Sequence, residues 1–474
     1  MLKWKWAPFR QAALDMPAQF VSERLLRIVS VRWLARFSLA IAVFFTPFRY
    51  RWTLFEQPLP PVYADYTNGL LFLGDLFLSL TLALWLFSLA LKPRRVWLGP
   101  LFLSLPLGGL LLTGALSALL SVQPQLSFYH LVRMALYTGL YLYIVNEIED
   151  LRPLIWALAG SVFVQAAVGV AQWLAQADLG LQRLGEYELD PAWGGVSIVW
   201  AEGVRSLRAY GLSDHPNLLG GLLTFSLLIL LSWYAAGAEQ REGSVIRTVV
   251  GGVFVLGLAA LLLTFSRSAW LGFIAGLTLS AVLLARRRRK LALQGGAALL
   301  LAGVIVLTPL IWRNLPYLGV RIGTNNAFQE APYEKSSLLE RAALNQVANQ
   351  IFADHALTGV GLGAFPAALR MARPEFGFYY QPPHLALLNA AAETGIFGAM
   401  FYFLALTTPW LAIWIWRRRL NFNFYFVGAC SVLLAISVVG LFDYYPWLLA
   451  PGRFWQWMAW GLWAAFFGRE SRGV

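Results

Sequence analysis

The sequence predicts an all-α membrane protein of about twelve transmembrane helices, with both termini cytoplasmic and a large, partly helical extracytoplasmic loop between spans 9 and 10. Three observations predict it. Of the 474 residues, 59% are hydrophobic and only 13% charged, against roughly 45–50% and 25% in soluble domains. Apolar stretches long enough to cross about 30 Å of hydrocarbon recur along the whole chain. Basic residues then cluster in every second connection.

Length alone would suggest about three soluble domains. The mean hydropathy of +0.61 overrides that, because one lipid-embedded bundle uses most of such a length. The spans fall at about 33–48, 69–91, 97–121, 127–146, 153–175, 216–237, 246–264, 268–285, 293–312, 396–416, 423–442 and 452–468. Cys430, the single cysteine, lies inside an apolar run. An intrachain disulfide is therefore impossible, a cysteine metal site has no support, and the residue reads as a small buried apolar group.

Charge distribution sets the orientation. The net charge of +13 would suggest nucleic-acid binding in a soluble protein. Here the cations sit in the N-terminal segment (Lys3, Lys5, Arg10, Arg24, Arg27, Arg32), the 2–3 loop (Lys92, Arg94, Arg95), the 4–5 loop (Arg152, beside Glu147, Glu149 and Asp150) and the 6–7 loop (Arg241, Arg247). The 8–9 loop (Arg286 to Arg289, Lys290), the 10–11 loop (Arg417 to Arg419) and the tail (Arg469, Arg472) continue the pattern. With twelve spans all of these share one side, the cytoplasm by the positive-inside rule. That distribution disposes of the nucleic-acid reading and predicts a multi-pass protein of the cell inner (plasma) membrane.

Residues 1–32 are not expected to be a cleavable signal peptide, because their charges are interspersed with apolar residues and no cleavage pattern follows. Trp4, Trp6, Phe9 and Phe20 suggest a cytoplasmic or interfacial amphipathic segment instead. Residues 33–474 are read as one transmembrane domain with two long extracytoplasmic connections, 176–215 and 313–395. Both are rich in Gly, Pro and polar residues, and neither would sit bare in lipid. In the second, Ser337 and Glu340 read as a capping box opening a helix over about 337–353. Leu344, Val347 and Ile351 give that helix an apolar face, and it is expected to lie across the top of the bundle as a lid.

Polar groups at the outer span ends are the first candidates for chemistry. Arg267 lies in Ser266-Arg267-Ser268, with almost no loop between spans 7 and 8. It admits two readings, a snorkelling interfacial arginine or an anchored anion ligand whose planar fork suits phosphate. Arg208 leads through Gly211 and His215 into Pro216-Asn217, which reads as a helix start and so as an anion site. A solvated loop arginine is the plainer alternative. His384 follows Pro382-Pro383 at the mouth of a helix. Neutral imidazole there would accept a proton from a sugar hydroxyl, although a lone histidine is more often structural.

Asp75, His130 and Arg133 fall within spans. An Asp75–Arg133 pair is expected as a structural clasp in preference to a proton or ion path. Gly359-Val360-Gly361-Leu362-Gly363 lacks a preceding strand and reads as a tight turn rather than a nucleotide loop. No metal-ligand cluster or nucleophile elbow is legible.

Taken in order, these motifs resemble the O-antigen ligase/O-antigen polymerase superfamily of bacterial membrane glycosyltransferases. The carriers are Arg208 with Gly211 and Pro216-Asn217, then Ser266-Arg267-Ser268, then Gly359 to Gly363, and last His384 leading to Glu393, Gly395 and Gly398. Motifs cover roughly residues 200–400, and the span layout covers the whole chain. One departure is Leu385, where the family often has Asn directly after the His. The role of that Asn is absent here or supplied elsewhere, Asn389 being the nearest amide.

The resemblance implies an O-antigen ligase-like enzyme that moves a glycan from a polyprenyl-diphosphate carrier to an acceptor hydroxyl on the outer face. Neither a metal nor a cofactor is implied. Partners would be the lipid-linked glycan donor, a glycan, lipid A core or protein acceptor, and membrane lipids, with no nucleic acid. Arg208 and Arg267 would hold the diphosphate and stabilise its charge as it leaves. His384 would position or deprotonate the acceptor hydroxyl. Asn217, Arg321 and Arg341 are further substrate-binding candidates. A polysaccharide polymerase of the same superfamily and a bicarbonate or small-anion transporter remain as alternatives, as does a structural partner in envelope assembly. Against transport stands the lack of an inverted repeat or a pair of broken helices.

Overall fold

The computed structural model describes residues 23–149, 151–240, 244–323 and 332–472. The interfacial reading of the N-terminal aromatics, and Arg241, lie outside these residues. Helix accounts for 70% of the structure. Twelve helices sit at the positions of the twelve expected spans: α1 (Glu23–Phe45), α2 (Leu73–Leu91), α3 (Leu101–Leu119), α4 (Pro124–Glu147), α5 (Arg152–Ala175), α6 (Pro216–Gln240), α7 (Ser244–Leu263), α8 (Arg267–Arg286), α9 (Lys290–Arg313), α13 (Ala386–Trp416), α14 (Phe424–Val439) and α15 (Ala450–Arg472). Three more, α10 (Leu315–Ile322), α11 (Pro332–Asp354) and α12 (Phe365–Ala372), occupy the large connection. Among the described residues, eight helices are long and apolar enough to cross a membrane: α2, α3, α5 to α9, and α13. The chain is thus a polytopic helical protein, with α14 short of a full span.

Packing follows the apolar pattern. Helix α6 is apolar on every face, and 94% of its span window is buried against its neighbours, whereas α9 buries only 17% and presents its surface outward. A helix hydrophobic all round belongs at the centre of a bundle. Gly220 and Gly221 in its first turns make this possible. A Cβ on Gly220 would sit 3.0 Å from Thr264, Ser266 and Ala269, and one on Gly221 would sit 1.8 Å from the Tyr445 hydroxyl. The α7–α8 turn and the segment after α14 therefore both close onto the start of α6.

Three local features depart from the expectation. Two small antiparallel ribbons interrupt the helices, β1 (Arg51–Phe55) with β2 (Gly69–Phe72) and β3 (Ile198–Ala201) with β4 (Val204–Leu207). The second turns on Glu202-Gly203, both at positive φ, the two-residue turn whose twist matches paired strands. Helix α11 begins at Pro332, not Ser337, because proline at a first helical position loses no needed amide. Glu340 accepts from Tyr379 N–H at 3.2 Å and Gln381 Nε2 at 3.0 Å rather than closing a capping box. The predicted apolar face of α11 is buried, with Leu344, Val347 and Ile351 packed against Val62, Phe365, Leu369 and Ala392. Finally, α13 starts ten residues before the expected span. Its Ala- and Leu-rich opening is strongly helix-forming, and Gly395 (φ 70°, ψ −173°) then kinks it.

The basic connections meet at one end of the bundle. Arg32 and Arg94 converge on Glu147, Arg469 donates to the carbonyls of Ile148 and Glu149, and Arg287 donates to the Leu420 carbonyl. Glu470 accepts the amides of Asn421 and Asn423. At the other end, Arg49 and Arg51 are neutralised by Asp214 and Asp65. Arg267 and Arg286 mark the two extremes of α8, about 30 Å apart at 1.5 Å per residue.

Candidate functional site

Strand β4 ends at Leu207 and delivers Arg208 to the start of α6. The Arg208 guanidinium is buried, only 4% exposed, and fully engaged. Its Nε donates to the Thr264 carbonyl at 2.6 Å, Nη1 to Ser197 Oγ at 2.7 Å and Nη2 to Asn217 Oδ1 at 2.5 Å. The α7–α8 turn that receives it is tight: Phe265 adopts φ 48°, a costly conformation for a bulky residue, and the Phe265 carbonyl accepts Arg321 Nε at 2.9 Å. Arg267 then opens α8, half-buried.

Asp443, in the segment between α14 and α15, ties these pieces together. Its Oδ1 accepts from Asn217 Nδ2 at 3.3 Å and faces His384 Nδ1 at 3.4 Å, while Oδ2 accepts from Ser268 Oγ at 2.5 Å. Next door, Arg341 Nη1 donates to the Phe442 carbonyl at 3.4 Å. Burial alone would raise the Asp443 pKa. The hydrogen bond and charge of His384, then Arg341 and the Ser268 hydroxyl, outweigh it and hold the carboxyl below its ordinary value. Asp443 is therefore an anion at neutral pH, and its His384 side chain partner is 15% exposed against 5% for the carboxylate. The Tyr444 ring packs on His384 edge to face at 5.1 Å, and its hydroxyl meets that of Tyr66 at 2.5 Å.

The arrangement links Arg208, Asn217, Asp443 and His384 in one chain of bonds, with Ser268 joining from the side. Arg321 and Arg341 anchor to the residues flanking it, at Phe265 and Phe442. An Asp that takes Nδ1–H leaves Nε2 as the proton acceptor, the geometry of an oriented general base. Sequence reasoning missed Asp443. The signal was an acid at the end of span 11, beside Tyr444 and Tyr445. His215 was seen only as part of a motif, and its Nδ1 accepts the Asn217 amide at 3.1 Å. Asn389 does not supply the missing amide beside His384: it is buried, and neither side-chain polar atom bonds to a described residue.

The glycine motifs have a packing role. Gly359, Gly361 and Gly363 take φ of 66°, 117° and 76°. A Cβ on them would strike the Glu393 backbone at 2.2 Å, Ser121 at 1.9 Å and His130 at 2.0 Å. Val360 and Gly361 donate to the carbonyls of Ala392 and Glu393 at 3.0 and 3.1 Å. The Glu393 carboxylate accepts from Gly363 N–H and Trp447 Nε1, each at 2.8 Å. The expected Asp75–Arg133 pair also forms, buried, with Arg133 further donating to the Leu70 carbonyl at 2.9 Å. His130 Nδ1 lies 3.1 Å from Arg453 Nη1. Among the described residues no group of His, Cys, Asp and Glu is placed to hold a metal.

Fold and site together define a polytopic membrane protein with a cationic, hydroxyl-lined site at one end of its bundle. Residues 252–403, about a third of the chain, match the family described as O-antigen ligase, which supports the resemblance drawn from the ordered motifs. The match points broadly to a glycosyltransferase-like enzyme of ligase or polymerase type, with a lipid-linked glycan and an acceptor as its partner classes. It contains Arg267, Arg321, Arg341 and His384 and stops short of Asp443. No curated protein matches the chain.

Proposed function

We propose that the protein transfers a glycan from a polyprenyl-diphosphate carrier to an acceptor hydroxyl at the outer face of the inner membrane, in the manner of an O-antigen ligase. The observation that carries this reading is the bonded chain from Arg208 through Asn217 and Asp443 to His384. It puts a cation suited to phosphate and an oriented imidazole on one framework.

In this reading Arg267 contacts the diphosphate, and Arg208, buried with each nitrogen already bonded, adds its charge from behind the site. Guanidinium groups never deprotonate at working pH and match phosphate oxygens with paired donors. They stabilise the charge that develops as the diphosphate leaves the anomeric carbon. Asp443 keeps His384 in the tautomer whose Nε2 removes the acceptor proton, and stabilises the imidazolium that results. The new glycosidic bond forms from the acceptor oxygen as the bond to the diphosphate breaks, so no metal is required. Arg321, Arg341 and Asn217 frame the donor. The twelve-span topology, with the site at the extracytoplasmic end, belongs to the same proposal and is supported by the basic connections gathered at the opposite end.

Purified protein in proteoliposomes, given polyprenyl-diphosphate glycan and an acceptor, should form the transferred product. Arg208→Ala, Arg267→Ala and His384→Ala should each cut it to a small residual rate with the fold intact. Full transfer by all three variants would remove the site assignment. Flux of labelled bicarbonate without any transfer would move the function to the transporter reading.

A further inference from the structure

The ends of α8 and α13 remote from His384 flank an open cavity that the transfer site does not use. It measures about 470 Å³ and carries Arg286, Arg287, Arg417 and Arg418 on its lining, together with Trp410 and Trp414. Arg287 spends one amino group on the Leu420 carbonyl and lies over Phe422, and Arg417 lies over Trp414 at 5.1 Å. Neither contact cancels a charge. Among the described residues no carboxylate pairs with any of the four arginines, and Glu470, the acid of the adjoining helix, is taken by the amides of Asn421 and Asn423.

Four uncompensated guanidinium groups in one concave site repel one another unless an anion joins them. Guanidinium is the side chain best shaped for phosphate oxygens. The tryptophan wall specifies more than a free anion: Trp414 is 63% exposed, and indole rings of this kind sit where acyl chains meet headgroups. We propose that this cavity binds the headgroup of an anionic phospholipid, its phosphate among the four arginines and its acyl chains along Trp410 and Trp414. Charge complementarity and the apolar wall together select this ligand, since a zwitterionic lipid brings its own cation and a free phosphate leaves the wall uncovered. Basic recesses between helix ends are suited to cardiolipin, which carries two phosphates.

The test uses the intact purified protein in neutral detergent and native mass spectrometry with three probes: cardiolipin, phosphatidylcholine and inorganic pyrophosphate. Cardiolipin should bind saturably and at least 10-fold more tightly than phosphatidylcholine. The double variant Arg286→Gln/Arg418→Gln should bind it about 30-fold more weakly, from the usual contribution of each basic residue at an anionic lipid surface. Both side chains are exposed, so the variant should unfold at the wild-type temperature. Equal binding of the two lipids, undiminished binding by the variant, or displacement of cardiolipin by millimolar pyrophosphate would each overturn the proposal.

Discussion

Two polar networks in this protein are built from the same residue types and differ in access. One joins Asp75 to Arg133, His130 to Arg453 and Glu393 to Trp447, and its charged members are all less than 10% exposed. The other joins His384, Asp443, Asn217 and Arg208, and its imidazole is 15% exposed. In the first, the groups the ions bond to are fixed parts of the fold, as expected of charges kept in a bundle interior. In the second, a buried carboxylate holds a partly exposed histidine. Residue type therefore does not separate a clasp from a reaction site. What separates them is whether one member of the network faces outward.

Breaking the networks should expose that difference. The largest effect is expected at Asp443→Ala, which should lower transfer by about 10²–10⁴-fold while thermal unfolding in detergent stays cooperative. Activity within a few-fold of wild type would return His384 to a structural role. Arg133→Ala should do the reverse: it strands a buried carboxylate, at a cost of about 3–5 kcal/mol. The loss should appear in the unfolding temperature, with turnover per folded molecule preserved. Gly363→Ala belongs with Arg133, because a Cβ there meets His130 at 2.0 Å at a φ of 76°. It should depress the yield of folded protein more than the rate.

A pH scan sharpens the same contrast. Asp443 is held below its ordinary pKa, so it binds fewer protons when folded than when unfolded. Its stabilising contribution is fully present above about pH 4, the unfolded carboxyl value, and is lost as pH falls through the lower native value. Asp443→Asn should flatten the acid limb of the unfolding temperature relative to wild type. An unchanged acid limb would contradict the assignment. The smallest effect is expected at Ser268→Ala. It removes one of three side chains bonded or apposed to Asp443, worth about 1 kcal/mol or roughly five-fold in rate.

Much of this was legible in the sequence, for physical reasons that also explain the rest. Each helix of the bundle announces itself as an apolar run, because a lipid-facing segment has no other composition open to it. Arg208, Arg267 and His384 stand out as polar residues at the ends of such runs. Asp443 did not, because it lies 59 residues after His384 and only packing unites them. The β3–β4 ribbon has strands of four residues, too short to show an alternating pattern. Ser337 misled because a capping motif is local, whereas the start of α11 is set by Pro332. At Leu385 the sequence leaves open whether the amide's role is absent or supplied elsewhere, and Asn389, the nearest amide, stands outside the network.

The account rests on His384 and Asp443 working as one unit, and a double-mutant cycle on the transfer rate tests it most directly. If Asp443 acts through His384, the double variant His384→Ala/Asp443→Ala should be no slower than His384→Ala alone, the non-additivity expected of groups that share one step. A double variant slower by the product of the two single effects would show independent roles and contradict the proposed site.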